Sequence, residues 1–123
     1  MLIIAQYVAR HELDPLSQVV TVKDLIIGAQ KVIAGLGVTL KSPIKGNSVR
    51  FFKVRIGKKG IGRMAVFMTT EHGKVVPVLI RRKKDKIFGT NMAMNNKGVV
   101  DQIRVTMVRI LTDIEAGSFE EFE

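Results

Sequence analysis

Two cations on one predicted strand have the spacing needed to bind a chain of phosphates. Lys53 and Arg55 lie two residues apart in a segment of alternating residues, so both side chains project from the same strand face, about 7 Å apart. Arg63 begins the next predicted strand after a short connection and is expected to lie near them. Such a cluster binds phosphates, and in a tight arrangement it stabilises the charge that develops during phosphodiester cleavage.

The charge of the whole chain is concentrated around these residues. The 123 residues carry a formal net charge of +9. Between Lys41 and Lys86 there are fourteen Lys and Arg against two acids, a net of +12, whereas the rest of the chain has a net charge of −3. Charge of one sign on a rigid sheet attracts a polyanion, and the attraction weakens as salt is added. The distribution therefore indicates a nucleic acid as the partner.

Further residues of the basic segment are candidates for contacts with RNA. Phe51 is predicted to share a strand face with Lys53, where it could stack an unpaired base or pack under a helix, and the sequence leaves both open. Glycines flank two lysines in a hairpin connection, but their spacing matches no P-loop. The predicted RNA-binding residues are Arg50, Phe51, Lys58, Lys59, Arg81, Arg82, Lys83 and Lys86.

The elements that must position these residues follow from the hydrophobic pattern. Pro77 cannot donate to a strand ladder, so its strand is expected at a sheet edge or with a bulge there. The pattern predicts an α+β domain, in which a three-stranded antiparallel meander and an N-terminal strand carry an N-terminal helical segment and a C-terminal helix. The predicted elements are a strand within Leu2–Val8, a helix over Val22–Ala34 with Thr21 as N-cap, strands over Arg50–Ile56, Arg63–Thr70 and Val75–Arg82, and a helix over about Val99–Ala116.

Length and composition indicate a single domain over 1–123, with 118–123 as a short acidic tail. The chain is 46% hydrophobic and 25% charged, which is typical of a globular protein. It has no cysteine, so disulfides and thiolate metal sites are excluded, and no cofactor or metal is expected. No apolar run approaches the roughly 20 residues of a membrane span, and no leader is evident. A cytoplasmic protein without a membrane partner is the expectation.

The order of these features resembles a known family of small toxins. Toxins of the RelE/ParE superfamily of bacteria and archaea are similar to this chain in Lys45–Ile56, in Arg63 opening an apolar strand, in Lys74–Lys86, and in Gly89–Lys97 before a last helix. From Met1 to Leu40 the resemblance is only topological. The resemblance implies a toxin of a type II toxin–antitoxin system, neutralised by a cognate antitoxin protein that wraps around it.

The resemblance also implies an activity and site residues. RelE-like toxins cleave mRNA in the ribosomal A site without a metal, because the 2′-hydroxyl attacks the adjacent phosphate and leaves a cyclic phosphate end. Lys53 and Arg55 match the strand pair that contacts RNA and shifts proton affinities, and Arg63 matches the arginine that stabilises the transition-state phosphate. One of Lys83, Lys84 or Lys86 after the third strand replaces a later basic residue of the family, and Lys84 is taken as the candidate catalytic residue. The family's late Tyr, or His with Glu, is missing, since Phe88 stands there.

Two other functions remain open. A non-enzymatic RNA-binding or ribosome-binding protein would use the same cations without cleaving RNA, and a ParE-like toxin would share the fold but inhibit DNA gyrase. His72 falls in a predicted hairpin turn and His11 precedes the Asp14-Pro15 turn, so both are expected to be solvated surface residues. The sequence therefore predicts a RelE-like endoribonuclease and leaves its proton-transfer groups unassigned.

Overall fold

The computed structural model describes residues 1–41, 49–69, 73–85 and 97–123. Six strands in these residues form one sheet in the order β2-β3-β4-β5-β1-β6, in which only β1 and β5 pair in parallel. The expected α+β class is confirmed. The elements are β1 (Leu2–Ala5), α1 (Gln6–Val8), α2 (Val22–Ile33), β2 (Val38–Leu40), β3 (Val49–Ile56), β4 (Gly62–Thr69), β5 (Val75–Arg82), α3 (Lys97–Glu115) and β6 (Phe119–Phe122).

The predicted meander is formed by β3, β4 and β5, which pair in sequence order. The register passes from Ala65 opposite Leu79 to Val66 opposite Pro77, so Val78 has no partner and the strand bulges there. The bulge places the residue that lacks an N–H where the ladder is already interrupted. The expectation of an irregularity at Pro77 is therefore confirmed, although β5 lies inside the sheet between β4 and β1.

The first strand is shorter than predicted. It ends at Ala5, and the chain turns at Gln6 into α1, which continues as a π-helical turn over Ala9–Leu13 and a 3₁₀ turn over Asp14–Leu16. The side chain of Asp113 on α3 accepts the Tyr7 N–H at 2.7 Å and satisfies one of the free donors at the helix start. That donor-acceptor pair is 106 residues apart in sequence, so no local pattern could have revealed it.

A buried carboxylate completes the edge of β5 that β1 is too short to cover. Glu12 is 4% exposed and accepts the Ile80 N–H at 2.8 Å. The same oxygen forms an ion pair with Arg81. Glu12 thus supplies the acceptor that a longer first strand would have offered, and it neutralises the neighbouring guanidinium.

Replacing Glu12 should therefore destabilise the fold in two separable steps. Glu12→Gln keeps an acceptor for the Ile80 N–H but loses the ion pair, and we expect it to lower the free energy of unfolding by about 1–2 kcal/mol. Glu12→Ala also leaves the N–H unpaired and should cost roughly 3 kcal/mol or more. Urea unfolding measures both values. Asp14→Asn, at an exposed position nearby, serves as the control, and equal stability of all variants would contradict the assigned role.

Helix α2 begins as the sequence predicts and packs closely on the sheet. Thr21 and Asp24 form a capping box, in which each side chain accepts the other residue's backbone N–H. A Cβ added to Gly28 would lie 2.7 Å from Ile56 Cγ2 and 2.9 Å from Met64 Cε. A glycine in mid-helix is explained by this approach, because any larger residue would push α2 away from β3 and β4.

We expect Gly28→Ala to lower the free energy of unfolding by about 1–3 kcal/mol, since overpacking outweighs the gain of about 1 kcal/mol in helix propensity. Gln30→Ala, at an exposed position of the same helix, should change stability by only a few tenths of a kcal/mol. Thermal unfolding followed by circular dichroism compares the two. A stabilised Gly28→Ala protein would show that the helix can move away from the sheet at little cost.

The C-terminal residues form an edge strand where the sequence predicted an acidic tail. Strand β6 pairs antiparallel with β1, with Phe122 opposite Leu2 and Phe119 opposite Ala5. Phe119 and Phe122 are both partly buried against the core, which anchors the segment. The acids of β6 lie at the opposite end of the strand order from β2 and β3. No helix in the described part of the chain is long and apolar enough to cross a membrane.

Candidate functional site

Three arginines form a row across neighbouring strands of the meander. Arg55 on β3 pairs with Arg63 on β4, and Arg63 pairs with Arg81 on β5. Residues directly opposite one another on paired strands share a face of the sheet, with Cβ atoms about 5 Å apart. Like charges in these positions destabilise a sheet unless a counter-charge is present. The row therefore favours the binding of an anion at this face of the sheet.

Glu12 supplies a counter-charge only at one end of the row. It pairs with Arg81, whereas no carboxylate in the described part of the chain pairs with Arg63. Arg63 is 9% exposed, and its Nη1 donates to the carbonyls of Gly60 at 2.7 Å and Gly62 at 3.0 Å. Burial, and then the charge of Arg55, lower the pKa of the Arg63 guanidinium. Its charged form is thus disfavoured in the free protein, and a bound anion would relieve the cost.

The middle of the row opens into a surface groove of about 530 Å³. The pairing between β2 and β3 extends only as far as Val38 and Lys53. The residues of β3 that follow Lys53 therefore form an open edge of the sheet beside this groove. The structure brings together Lys53, Arg55 and Arg63, the three cations that the sequence predicted to lie near one another. The groove is lined by Lys31, Lys53, Arg55, Arg63 and Lys83, with the apolar residues Leu36, Val38 and Val54.

Lys31 is a groove residue that the sequence analysis did not find. Its Nζ lies 3.4 Å from the carbonyl oxygen of Arg55, at the open edge of β3. The hydrophobic period of α2 places Lys31 on the polar face, where a lysine reads as solvated. Lys31 reaches the groove because the last turns of α2 cross close to β3. The one feature of the sequence that indicates this crossing is Gly28, which permits the close approach of α2 to the sheet.

Two of the predicted RNA-binding residues are not available as predicted. Phe51 is 1% exposed and packs with Phe67 at a ring-centroid distance of 6.0 Å. Its ring belongs to the core and cannot stack on a base, so that prediction is wrong. Arg81 lies in the arginine row, but Glu12 already neutralises it.

Of the other predicted cations that the structure describes, Lys83 lines the groove and the rest do not. Arg82 follows Arg81 and pairs with Gly62, so its side chain points to the opposite face of the sheet. Arg50 is exposed near the other end of β3. Lys84, the candidate catalytic lysine, is also exposed and does not line the groove. Lys58 and Lys59 are exposed in the turn between β3 and β4, and Lys86 lies outside the described residues.

The phenol of Tyr7 and the imidazole of His11 lie together away from the groove. The rings of Tyr7 and His11 lie 4.4 Å apart, and the guanidinium of Arg109 lies 6.0 Å from the Tyr7 ring. These residues line a separate recess of about 170 Å³. His72 and Phe88 lie outside the described residues. The described lining of the groove thus has cations and apolar groups but no imidazole, phenol or carboxylate.

A comparison of the chain with protein-family models, curated proteins and solved structures finds no match. Among the described residues, no three His, Asp or Glu side chains come together in a group that could hold a metal ion. The function must therefore be inferred from the groove and its residues.

Proposed function

We propose that this protein is a RelE-like toxin of a type II toxin–antitoxin system that binds RNA along the groove and cleaves mRNA on the ribosome. The observation that carries the proposal is the buried guanidinium of Arg63, which has no carboxylate partner among the described residues and faces a groove lined by four further cations. A buried cation without a counter-ion costs stability. An RNA phosphate supplies the missing charge in a geometry that a guanidinium binds well.

The groove cations have distinct roles in this proposal. Arg63 is held by two backbone carbonyls, so its remaining N–H groups are fixed in direction and stabilise the negative charge that grows on the phosphate as the 2′-oxygen bonds to phosphorus and the bond to the 5′-oxygen breaks. Water takes the proton of the 2′-hydroxyl and supplies one to the departing 5′-oxygen. Lys53 and Arg55 project from the same face of β3 and hold the sugar–phosphate strand on either side of the reacting phosphate. Lys31 and Lys83 lie outside β3 and β4 and add positive charge around the bound phosphate.

A non-enzymatic RNA-binding protein is the second candidate, and one observation favours it. The described lining of the groove contains no imidazole, phenol or carboxylate that could act as general acid or base, whereas general acid–base catalysis contributes about 10²- to 10⁴-fold to such reactions. Without that contribution the same cations would bind RNA and stabilise charge with little turnover. The two candidates share the groove and differ in whether bound RNA is cut.

Translating ribosomes programmed with a defined mRNA separate these candidates. We expect cuts in phase with the codons and cyclic phosphate ends on the upstream fragments. In the cytoplasm, a cognate antitoxin would normally hold the toxin inactive. Intact mRNA that is nevertheless bound would favour the non-enzymatic protein. Absence of RNA binding would end the proposal, and intact mRNA with blocked replication in cells would point to gyrase.

A matched pair of lysines on α2 tests whether the groove is the RNA site. Lys31 lines the groove, whereas Lys23 is exposed on the same helix and does not. We expect Lys31→Ala to weaken binding of single-stranded RNA about 5-fold at roughly 50 mM salt, and to reduce the slope of log affinity against log salt by about 0.7. Lys23→Ala should change neither quantity by as much. Fluorescence anisotropy over a salt series measures both, and equal effects would place RNA outside the groove.

A further inference from the structure

An apolar ledge stands directly beside the cations of the groove. Leu36 is 72% exposed and Val38 is 56% exposed, and both line the groove. They precede and begin β2, the outermost strand of the sheet on this side. Large apolar side chains exposed this far next to several cations are suited to a ligand that is itself part apolar and part anionic.

The strand register fixes where the ledge lies relative to the phosphate-binding residues. Val38 is directly opposite Lys53 on the paired strand, so the two side chains share a face of the sheet with Cβ atoms about 5 Å apart. Arg55 follows on the same face, with Arg63 opposite it. A phosphate held by Lys53 and Arg55 therefore has an apolar surface on the side of β2 and a guanidinium on the side of β4.

We propose that the ledge of Leu36 and Val38 receives an unstacked nucleobase, so that the groove selects single-stranded RNA over duplex. This inference rests on the proposed RNA binding and adds the part of the ligand that the cations do not contact. A nucleobase joined to a phosphate has the required pairing of an apolar face with a negative charge. In a duplex the bases are stacked inside the helix, and only phosphates and sugars would reach the groove.

The choice of a nucleobase as the occupant follows from the charge of the site. The described lining of the groove carries five cations and no acid, so a ligand that covers the ledge is favoured when it brings negative charge with it. Phe51 cannot provide base stacking, because its ring is buried. The ledge is thus the exposed apolar surface among the groove-lining residues on which a base can rest.

An abasic substitution in the RNA tests the inference through a double-mutant cycle. A short single-stranded RNA and its copies with one base removed at successive positions are titrated by fluorescence anisotropy. For the unaltered protein we expect one position at which base removal weakens binding about 5- to 10-fold. In the Leu36→Ser/Val38→Ser protein that penalty should vanish, while the salt dependence of binding stays unchanged because the phosphate contacts are intact.

The control variant removes equally exposed apolar residues from another surface. Val108 and Leu111 on α3 are 65% and 54% exposed and do not line the groove, and Val108→Ser/Leu111→Ser should keep the penalty for base removal. Two results would overturn the inference: equal binding of intact and abasic RNA, which would leave the ledge to a protein partner, or a penalty that survives in the ledge variant. In both, RNA still binds, whereas failure of the proposed RNA binding, on which the inference rests, would leave no binding of either RNA to measure.

Discussion

Replacing Arg63 by Gln should reduce the rate of RNA cleavage on the ribosome about 10²- to 10³-fold, the loss typical of removing one preorganised donor to a developing negative charge. Glutamine removes the positive charge and keeps a polar N–H₂ group on a shorter side chain, and circular dichroism of the variant checks that the fold is retained. RNA affinity should fall far less, by the value of one phosphate contact. Single-turnover cleavage and equilibrium binding to ribosomes measure the two quantities.

The matched control for this experiment is the arginine at position 82. Arg82 is near Arg63 in the sheet, but it pairs with Gly62 and projects from the opposite face. Arg82→Gln should leave cleavage within a few-fold of the unaltered protein. Equal losses of affinity and cleavage in Arg63→Gln would remove Arg63 from the transition state and reduce it to an ordinary phosphate contact.

Removing the two cations of β3 together should produce the largest change in binding. We expect Lys53→Gln/Arg55→Gln to weaken single-stranded RNA binding about 30- to 100-fold at roughly 50 mM salt and to reduce the salt slope by about 1.4, which corresponds to two lost phosphate contacts. Filter binding over a salt series measures both. Arg50 and Lys74 are cations at or beyond the other end of the meander, and Arg50→Gln/Lys74→Gln removes as much charge there.

Opposite effects on binding and stability would distinguish a functional site from an ordinary surface in the same variants. Arg55 lies directly opposite Arg63, so Arg55→Gln should raise the free energy of unfolding by roughly 0.2–1 kcal/mol at low salt, because a like-charge pair is relieved. The same substitution should weaken RNA binding. A variant that loses affinity only because it unfolds would contradict this interpretation, and urea unfolding at low and high salt decides the matter.

The meander could be predicted because its signals are local. Alternation within each strand, glycine turns and a proline that excludes a regular ladder are all visible within a few residues. The strands β3, β4 and β5 accordingly lie within a residue or so of their predicted bounds. The grouping of Lys53, Arg55 and Arg63 follows from the same local geometry, since it needs only strand alternation and one short connection.

The remaining features depend on contacts between distant parts of the chain. Strands β2 and β6 have three and four residues, too few to show a period, and each is specified by its partner strand. In the sequence, nothing distinguishes Glu12 from a surface acid, because its contact with the end of β5 exists only in the folded chain. Phe51 shares a strand face with Lys53 as expected, yet it is buried, because one face of a strand can be covered at one end and open at the other.

Strand β1 has a consequence for the order in which the molecule is assembled. It inserts between β5 and β6, whose paired residues Val75 and Phe122 lie far along the chain from Leu2. Closing such long loops carries an entropic cost that the hairpins of the meander do not bear. We therefore expect the hairpins to nucleate folding and Leu2–Ala5 to pair late, so that weakening this strand accelerates unfolding much more than it slows folding, which stopped-flow rates would measure. The lifetime of the native state should accordingly depend on the side of the sheet farthest from the groove, where β1 pairs with β5 and β6.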